Sequence, residues 1–199
     1  MNHKTFFNCL LLISSFVLLP TQNMICQRFN GGLIAGLSTS QVDGDTQKGY
    51  DKPGFYAGVY VETSLNELFG LKSELFYISK GAKKTINKLE EFNTTLNYME
   101  LPVYLSFKPL KNGEISAGFA VSYLISSKLV NYGEIVEGAL YDMHDFDFSF
   151  LVALNYHFTE RLGICARVDY SLVPVKKHPN WFNNNLSFGI TYQLGTKKP

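Results

Sequence analysis

Between Asp145 and Phe158 every second residue is large and apolar: Phe146, Phe148, Phe150, Val152, Leu154, Tyr156 and Phe158. The residues between them include Asp147, Ser149, Asn155 and His157. A strand sends successive side chains to opposite faces, so this segment has one greasy face and one polar face. Seven further segments show the same period of two, at about 31–40, 54–63, 70–80, 95–108, 114–127, 162–173 and 185–195. Their connections alternate in length. Ser64 to Phe69, Pro109 to Gly113 and Thr159 to Arg161 are short, whereas about 41–53, 81–94, 128–144 and 174–184 are long and rich in Gly, Lys, Asp and Asn. Eight strands with short turns at one end and long loops at the other predict an all-β, eight-stranded antiparallel up-and-down transmembrane β-barrel, with the long loops external.

The start of the chain reads as a secretory leader over residues 1–26. Lys4 precedes an apolar run from Phe6 to Leu19, too short for a membrane span and closed by Pro20. The barrel is then expected over 27–199. Cys9 and Cys26 belong to the leader, which leaves Cys165 without a partner for an internal disulfide. Loss of Lys4 takes the formal net charge from +1 to zero, which gives no support for nucleic acid as a partner. No later segment is long and apolar enough for a transmembrane helix, so a spanning chain of this kind must close a sheet.

Register follows from the short turns, because a slip of one residue would exchange the two faces. The Thr159–Arg161 turn predicts Tyr156 opposite Ile164, Leu154 opposite Ala166, Val152 opposite Val168 and Phe150 opposite Tyr170. The Pro109–Gly113 turn predicts Leu105, Val103 and Leu101 opposite Ala117, Phe119 and Val121. On the other face it sets Lys108 with Glu114, Ser106 with Ser116, and Tyr104 as an aromatic cover over Gly118. A soluble lipocalin-like barrel would show the same alternation. The composition of the two faces favours the membrane. Gly32, Gly36, Ser38, Ser116, Gly118, Ala120, Ser122, Ser187, Gly189, Thr191 and Gln193 suit a narrow lumen of small, lightly charged residues. Tyr77, Tyr123, Tyr156, Tyr170 and Tyr192 sit toward the strand ends of the apolar face, as interfacial girdles do. Pro102 lacks an N–H in mid-strand and predicts a local bulge. Segment 83–92 fits either a short helix or an irregular strand extension.

Lys72, Glu74, Lys80, Glu100, Lys108, Asp147, His157, Arg167 and Asp169 all fall on the inward register and predict a charge network in the lumen. In a barrel this narrow, paired charges acting as a plug fit better than an ion path. Lys83, Lys84, Lys88, Lys176 and Lys177 fall on the long-loop side, where contact with lipopolysaccharide phosphates or an acidic partner competes with simple solvation. His144 between Asp142 and Asp145 reads as a solvated loop rather than a metal site. Ser126, Ser127, Ser171 and His178 are the best available nucleophile and base residues, but no spacing makes them converge. No catalytic, cofactor or metal residue is assigned. Trp181 beside Phe182 is a candidate interfacial anchor or partner contact.

Four stretches, GGLIAGLSTS at 31–40, LKSELFYISKG at 71–81, YMELPVYLSF at 98–107 and FGITYQL at 188–194, resemble the PorT-like, porin-family outer-membrane β-barrel proteins of Bacteroidetes-type bacteria. The second and third match family patterns at Glu74, Lys80, Gly81, Glu100 and Pro102. The resemblance implies a small barrel delivered by the outer-membrane assembly machinery, which reads the last strand. Leu194 stands where the family has a terminal aromatic, and Gly195 to Pro199 follow it. The family as a whole implies no activity, although some members are associated with protein secretion. The expected function is a non-enzymatic integral barrel with a plugged lumen. Its partners would be outer-membrane lipid, lipopolysaccharide, the assembly machinery and envelope or secretion proteins. A narrow solute channel and a lipid-modifying enzyme are the alternatives.

Overall fold

The computed structural model describes residues 29–44, 49–86, 89–136, 142–176 and 179–194. The leader with Cys9 and Cys26, the tail beyond Leu194, and Lys88, Lys177 and His178 lie outside these residues. The strands are β1 (Phe29–Asp43), β2 (Lys52–Ser64), β3 (Phe69–Ile86), β4 (Leu89–Phe107), β5 (Gly113–Asn131), β6 (Glu134–Ile135), β7 (Phe146–His157), β8 (Leu162–Ser171) and β9 (Phe182–Gln193). β6 is a two-residue stub on β5, and the other eight form the wall. Every neighbour in the wall is antiparallel, β1 pairs with β9, and the β4–β5 pairing completes the circle. Closure leaves no unpaired edge in the membrane, which is the condition for a sheet to cross lipid.

Alternation gives the wall its two sides. Along β7 exposed and buried residues alternate from Phe146 to Tyr156. The outward side is apolar, and rings meet near both rims: Phe69 with Phe107 at one end, Phe55 with Tyr77 and Tyr123 with Phe146 at the other. The pairings expected across both short turns are those observed, from Tyr156↔Ile164 to Phe150↔Tyr170 and from Ser106↔Ser116 to Leu101↔Val121.

Pro102 produces no bulge. It stays in register opposite Ala120, and on the β3 side the pairing skips two rows, those of Pro102 and Leu101, but resumes at Phe76↔Glu100 without a shift. Ser73 Oγ donates to the Pro102 carbonyl (3.1 Å) in that gap. The ladder therefore absorbs a missing N–H by losing local pairing rather than by adding a residue. The shifts lie instead at Asn97/Tyr98 against β5 and at Lys84/Thr85 in the β3–β4 hairpin.

The wall is uneven in height. β3, β4 and β5 run for 18, 19 and 19 residues, β7, β8 and β9 for 12, 10 and 12. A tilted transmembrane strand needs about 9–11 residues, so the surplus projects beyond the long-loop rim. Much of the expected 81–94 loop is thus strand, and residues 83–86 and 89–92 extend β3 and β4 rather than forming a helix.

The projecting β3–β4 hairpin does not stand upright. Pairing between β2 and β3 ends at Tyr56↔Ile78. Beyond it, Ser38 Oγ and Ser40 Oγ of β1 donate to the carbonyls of Ser79 (3.2 Å) and Gly81 (3.0 Å), although β2 separates β1 from β3 in the sheet. The hairpin therefore leans across the mouth. Gly54 permits the crossing, since a Cβ there would lie 2.2 Å from the Ser79 carbonyl oxygen. Lys52 Nζ ties the second arm through Asn93 Oδ1 (2.8 Å) and Thr95 Oγ1 (2.7 Å). Val42, Ile78, Ala82, Leu96, Val175 and Trp181 are buried there, in the same core cluster as the lumen aromatics.

Candidate functional site: the polar lumen

The lumen is filled in tiers from the short-turn end upward. In the lowest, Lys108 Nζ lies 3.7 Å from Glu114 and 4.0 Å from Glu62, while Ser106 and Ser116 donate to Glu114 at 2.9 and 2.8 Å. Next, Glu74 is shared by two cations: Lys72 at 3.0 Å and the guanidinium of Arg167. That guanidinium also lies 4.7 Å from the Phe76 ring centroid, 5.4 Å from Tyr56 and 5.7 Å from Tyr104. A planar, weakly hydrated cation suits such a nest of π faces better than an ammonium does. Above it, Lys80 Nζ bridges Glu100 (2.7 Å) and Asp169 (2.6 Å), with Ser122 donating to Glu100 and Asn185 to Asp169. In the uppermost tier, Asp147 accepts from Ser171 and Asn183, both at 2.9 Å.

Seven strands, β2 to β5 and β7 to β9, contribute to this ladder through residues on their inward registers. Lys80 and Glu100 are 0 % exposed and Arg167 and Asp169 1 %. Buried ions of this kind persist only when each has a partner, since removal of one member costs about 3–5 kcal/mol. The structure thus brings together Lys72, Glu74, Lys80, Glu100, Arg167 and Asp169, with Lys108 at the lower rim. His157 is half-buried at the end of β7 and Asp147 is bonded to neutral groups.

The lumen is not uniformly small. Tyr56, Tyr60, Phe76, Ile78, Tyr98 and Tyr104 are buried on the inner faces of β2, β3 and β4, opposite the glycines and serines of the other strands. The parity that turns Lys72 and Glu74 inward does the same for Phe76 and Ile78, so that signal was present in the sequence. Tyr56 pairs with Gly36, which pairs in turn with Gly189. A Cβ at Gly36 would meet the Tyr56 ring at 2.7 Å, and one at Gly189 the Tyr56 hydroxyl at 2.3 Å. The two glycines therefore make room for the ring on which Arg167 rests. Gly118 does pair with Tyr104, but there the close atoms are backbone, the Val103 carbonyl and the Tyr104 Cα. A ring also lies against glycine at Tyr60, which a Cβ at Gly32 would meet at 2.4 Å.

The remaining candidates separate. Lys83 and Lys84 are half-buried on the leaning hairpin. Lys176 pairs with Asp142 at 3.2 Å and lies 4.8 Å from the Trp181 ring centroid. Trp181 is 7 % exposed, so it packs inside the mouth and is not an interfacial anchor. Isolated bridges Met143↔Lys176 and Lys176↔Trp181 knit these loops together. Asp142 is thereby drawn from His144, whose backbone N–H donates to the Val175 carbonyl at 2.8 Å. Ser126 and Ser127 are exposed on upper β5, whereas Ser171 is buried against Asp147. Cys165 is a buried free thiol.

Comparison with solved structures finds the same architecture. The chain is similar to the attachment invasion locus protein Ail of Yersinia pestis, with TM-score 0.53 and 13 % identity over 83 % of this chain and 98 % of that one. It is equally similar to Neisserial surface protein A, with TM-score 0.54 and 13 % identity over 81 % and 96 %. At this identity the likeness speaks for the fold alone. No curated protein sequence matches. The family described as "Outer membrane protein beta-barrel domain" matches residues 21–177. Together with the closed eight-stranded wall and its apolar outer face, that match places the protein in the cell outer membrane: the chain belongs to the outer membrane protein beta-barrel domain family.

Proposed function

We propose that this barrel is a non-enzymatic, non-conducting outer-membrane protein whose work is done at its long-loop end, by docking to other components of the envelope. The lumen carries this reading. Arg167 and Lys80 are buried inside it, Arg167 paired with Glu74 and Lys80 with Glu100 and Asp169, and an eight-stranded barrel is wide enough only for its own side chains. Among the described residues, the raised β3–β5 wall is available for recognition, with Ser126, Ser127 and Lys128 exposed. Membership of the PorT-like subgroup belongs to this proposal. Four of the five residues that carry the resemblance, Glu74, Lys80, Glu100 and Pro102, face the lumen, and Gly81 has φ of 142° where the hairpin turns inward. Secretion proteins are then the class of partner to test first.

The reading requires the raised wall to be outside the cell. Single cysteines replacing Lys128 on upper β5 and Asn112 in a short turn, in a Cys165→Ser background, report this with an impermeant thiol reagent on intact cells. Labelling is expected at position 128 only. Labelling at position 112 only would invert the barrel and remove the docking surface.

A further inference from the structure

We propose that the upper lumen holds a monovalent hard cation between Asp147 and Asn183. Every other buried carboxylate of the lumen has a cation within 4.0 Å: Glu62 and Glu114 have Lys108, Glu74 has Lys72 and Arg167, and Glu100 and Asp169 have Lys80. Asp147, 0 % exposed, has none among the described residues. Its two donors, Ser171 and Asn183, are neutral and both serve Oδ2, so Oδ1 has no partner. Beside it Asn183 spends its amide nitrogen on Asp147 and on Tyr98 Oη, which leaves its own Oδ1 unpartnered at 1 % exposure. The Oγ of Ser149, the next inward residue on β7, is likewise without a partner. So are Glu100 Oε1 and Asn185 Oδ1 in the tier below.

These unpartnered atoms are all oxygens, and they belong to the tiers of Lys80 and Asp147. Three carboxylates, Glu100, Asp147 and Asp169, face Lys80 as their nearest cation, so the upper tiers carry an excess of negative charge. A buried carboxylate without a counter-ion is costly, and a water molecule would satisfy Oδ1 without supplying charge. Carboxylate, amide and hydroxyl oxygens with no nitrogen or sulfur select a hard cation. Asp147 is the one of these three carboxylates with no ammonium of the described residues at salt-bridge distance, and a single positive charge placed there would pair it. Among the described residues no three His, Cys, Asp or Glu side chains gather as a multi-carboxylate divalent site would need. The ligand class is therefore Na+ or K+, reached from the mouth beneath the β3–β4 hairpin.

The test uses the full barrel in nanodiscs, melted in sodium, potassium or N-methylglucamine chloride at equal ionic strength. A cation that binds only the folded state raises Tm with its concentration, by roughly 3–6 °C between N-methylglucamine and the preferred ion. Asp147→Asn should abolish that difference, and Glu114→Gln in the lowest tier should keep it. Line broadening of 23Na, reversed by competing potassium, gives a second readout that needs no variant. Equal Tm in all three salts with no 23Na broadening would overturn the proposal, as would an ion dependence that survives in Asp147→Asn. Should that variant fail to fold, Asn183→Val takes its place in the comparison.

Discussion

Glu74 shows how residue chemistry settles the interior. It serves Lys72 and Arg167 at once, so Glu74→Gln leaves two buried cations facing each other. Lys72→Met leaves the Glu74–Arg167 pair intact. The expected cost is about 3–5 kcal/mol for Glu74→Gln and clearly less for Lys72→Met, measured by urea titration of folding into vesicles. Equal costs would mean that the tier is not organised around a shared anion. On the other side of the wall Val152 faces lipid, and Val152→Arg should cost about 2–4 kcal/mol in the same assay. Val152→Phe should be nearly neutral, and an Arg variant that inserts like wild type would contradict the outward assignment. Strand parity made both faces legible in the sequence, because it depends only on covalent geometry. Which inward residues touch across the lumen was not legible. Arg167 and Glu74 are 93 positions apart and meet only once the barrel closes.

At the scale of elements, the short hairpins were readable and the long ones were not. A three-residue turn leaves one register that keeps both faces consistent, whereas the β3–β4 connection has no such constraint. Its polar composition, with Lys83, Lys84, Asn93 and Thr94, resembles a loop although most of it is strand. Asn183, which completes the upper tier, fell in what read as the last loop for the same reason. The lean of the hairpin depends on Gly54, whose missing Cβ admits the Ser79 carbonyl. Gly54→Val should therefore lift the hairpin while the barrel itself remains folded. Thr94, 0 % exposed, reports the change: Thr94→Cys should be inert to a thiol reagent alone and reactive when combined with Gly54→Val. Reactivity in both backgrounds would show that the hairpin does not cover the mouth.

For the whole molecule, the outside of the barrel is general and the inside is particular. Any eight strands with apolar outward faces and closed pairing satisfy the bilayer, which explains a fold shared at 13 % identity with Ail and Neisserial surface protein A. The individuality of this chain lies in its tiers of buried charge and in a mouth covered by its own hairpin. Both argue for a wall that anchors a recognition surface rather than one that surrounds a path. Conductance of the purified protein in planar bilayers tests that claim most directly. The wild-type barrel is expected to show little steady current, and Arg167→Gly combined with Lys80→Gly, which empties the central tiers, should conduct measurably more. Large, stable channels in the wild type would contradict the account.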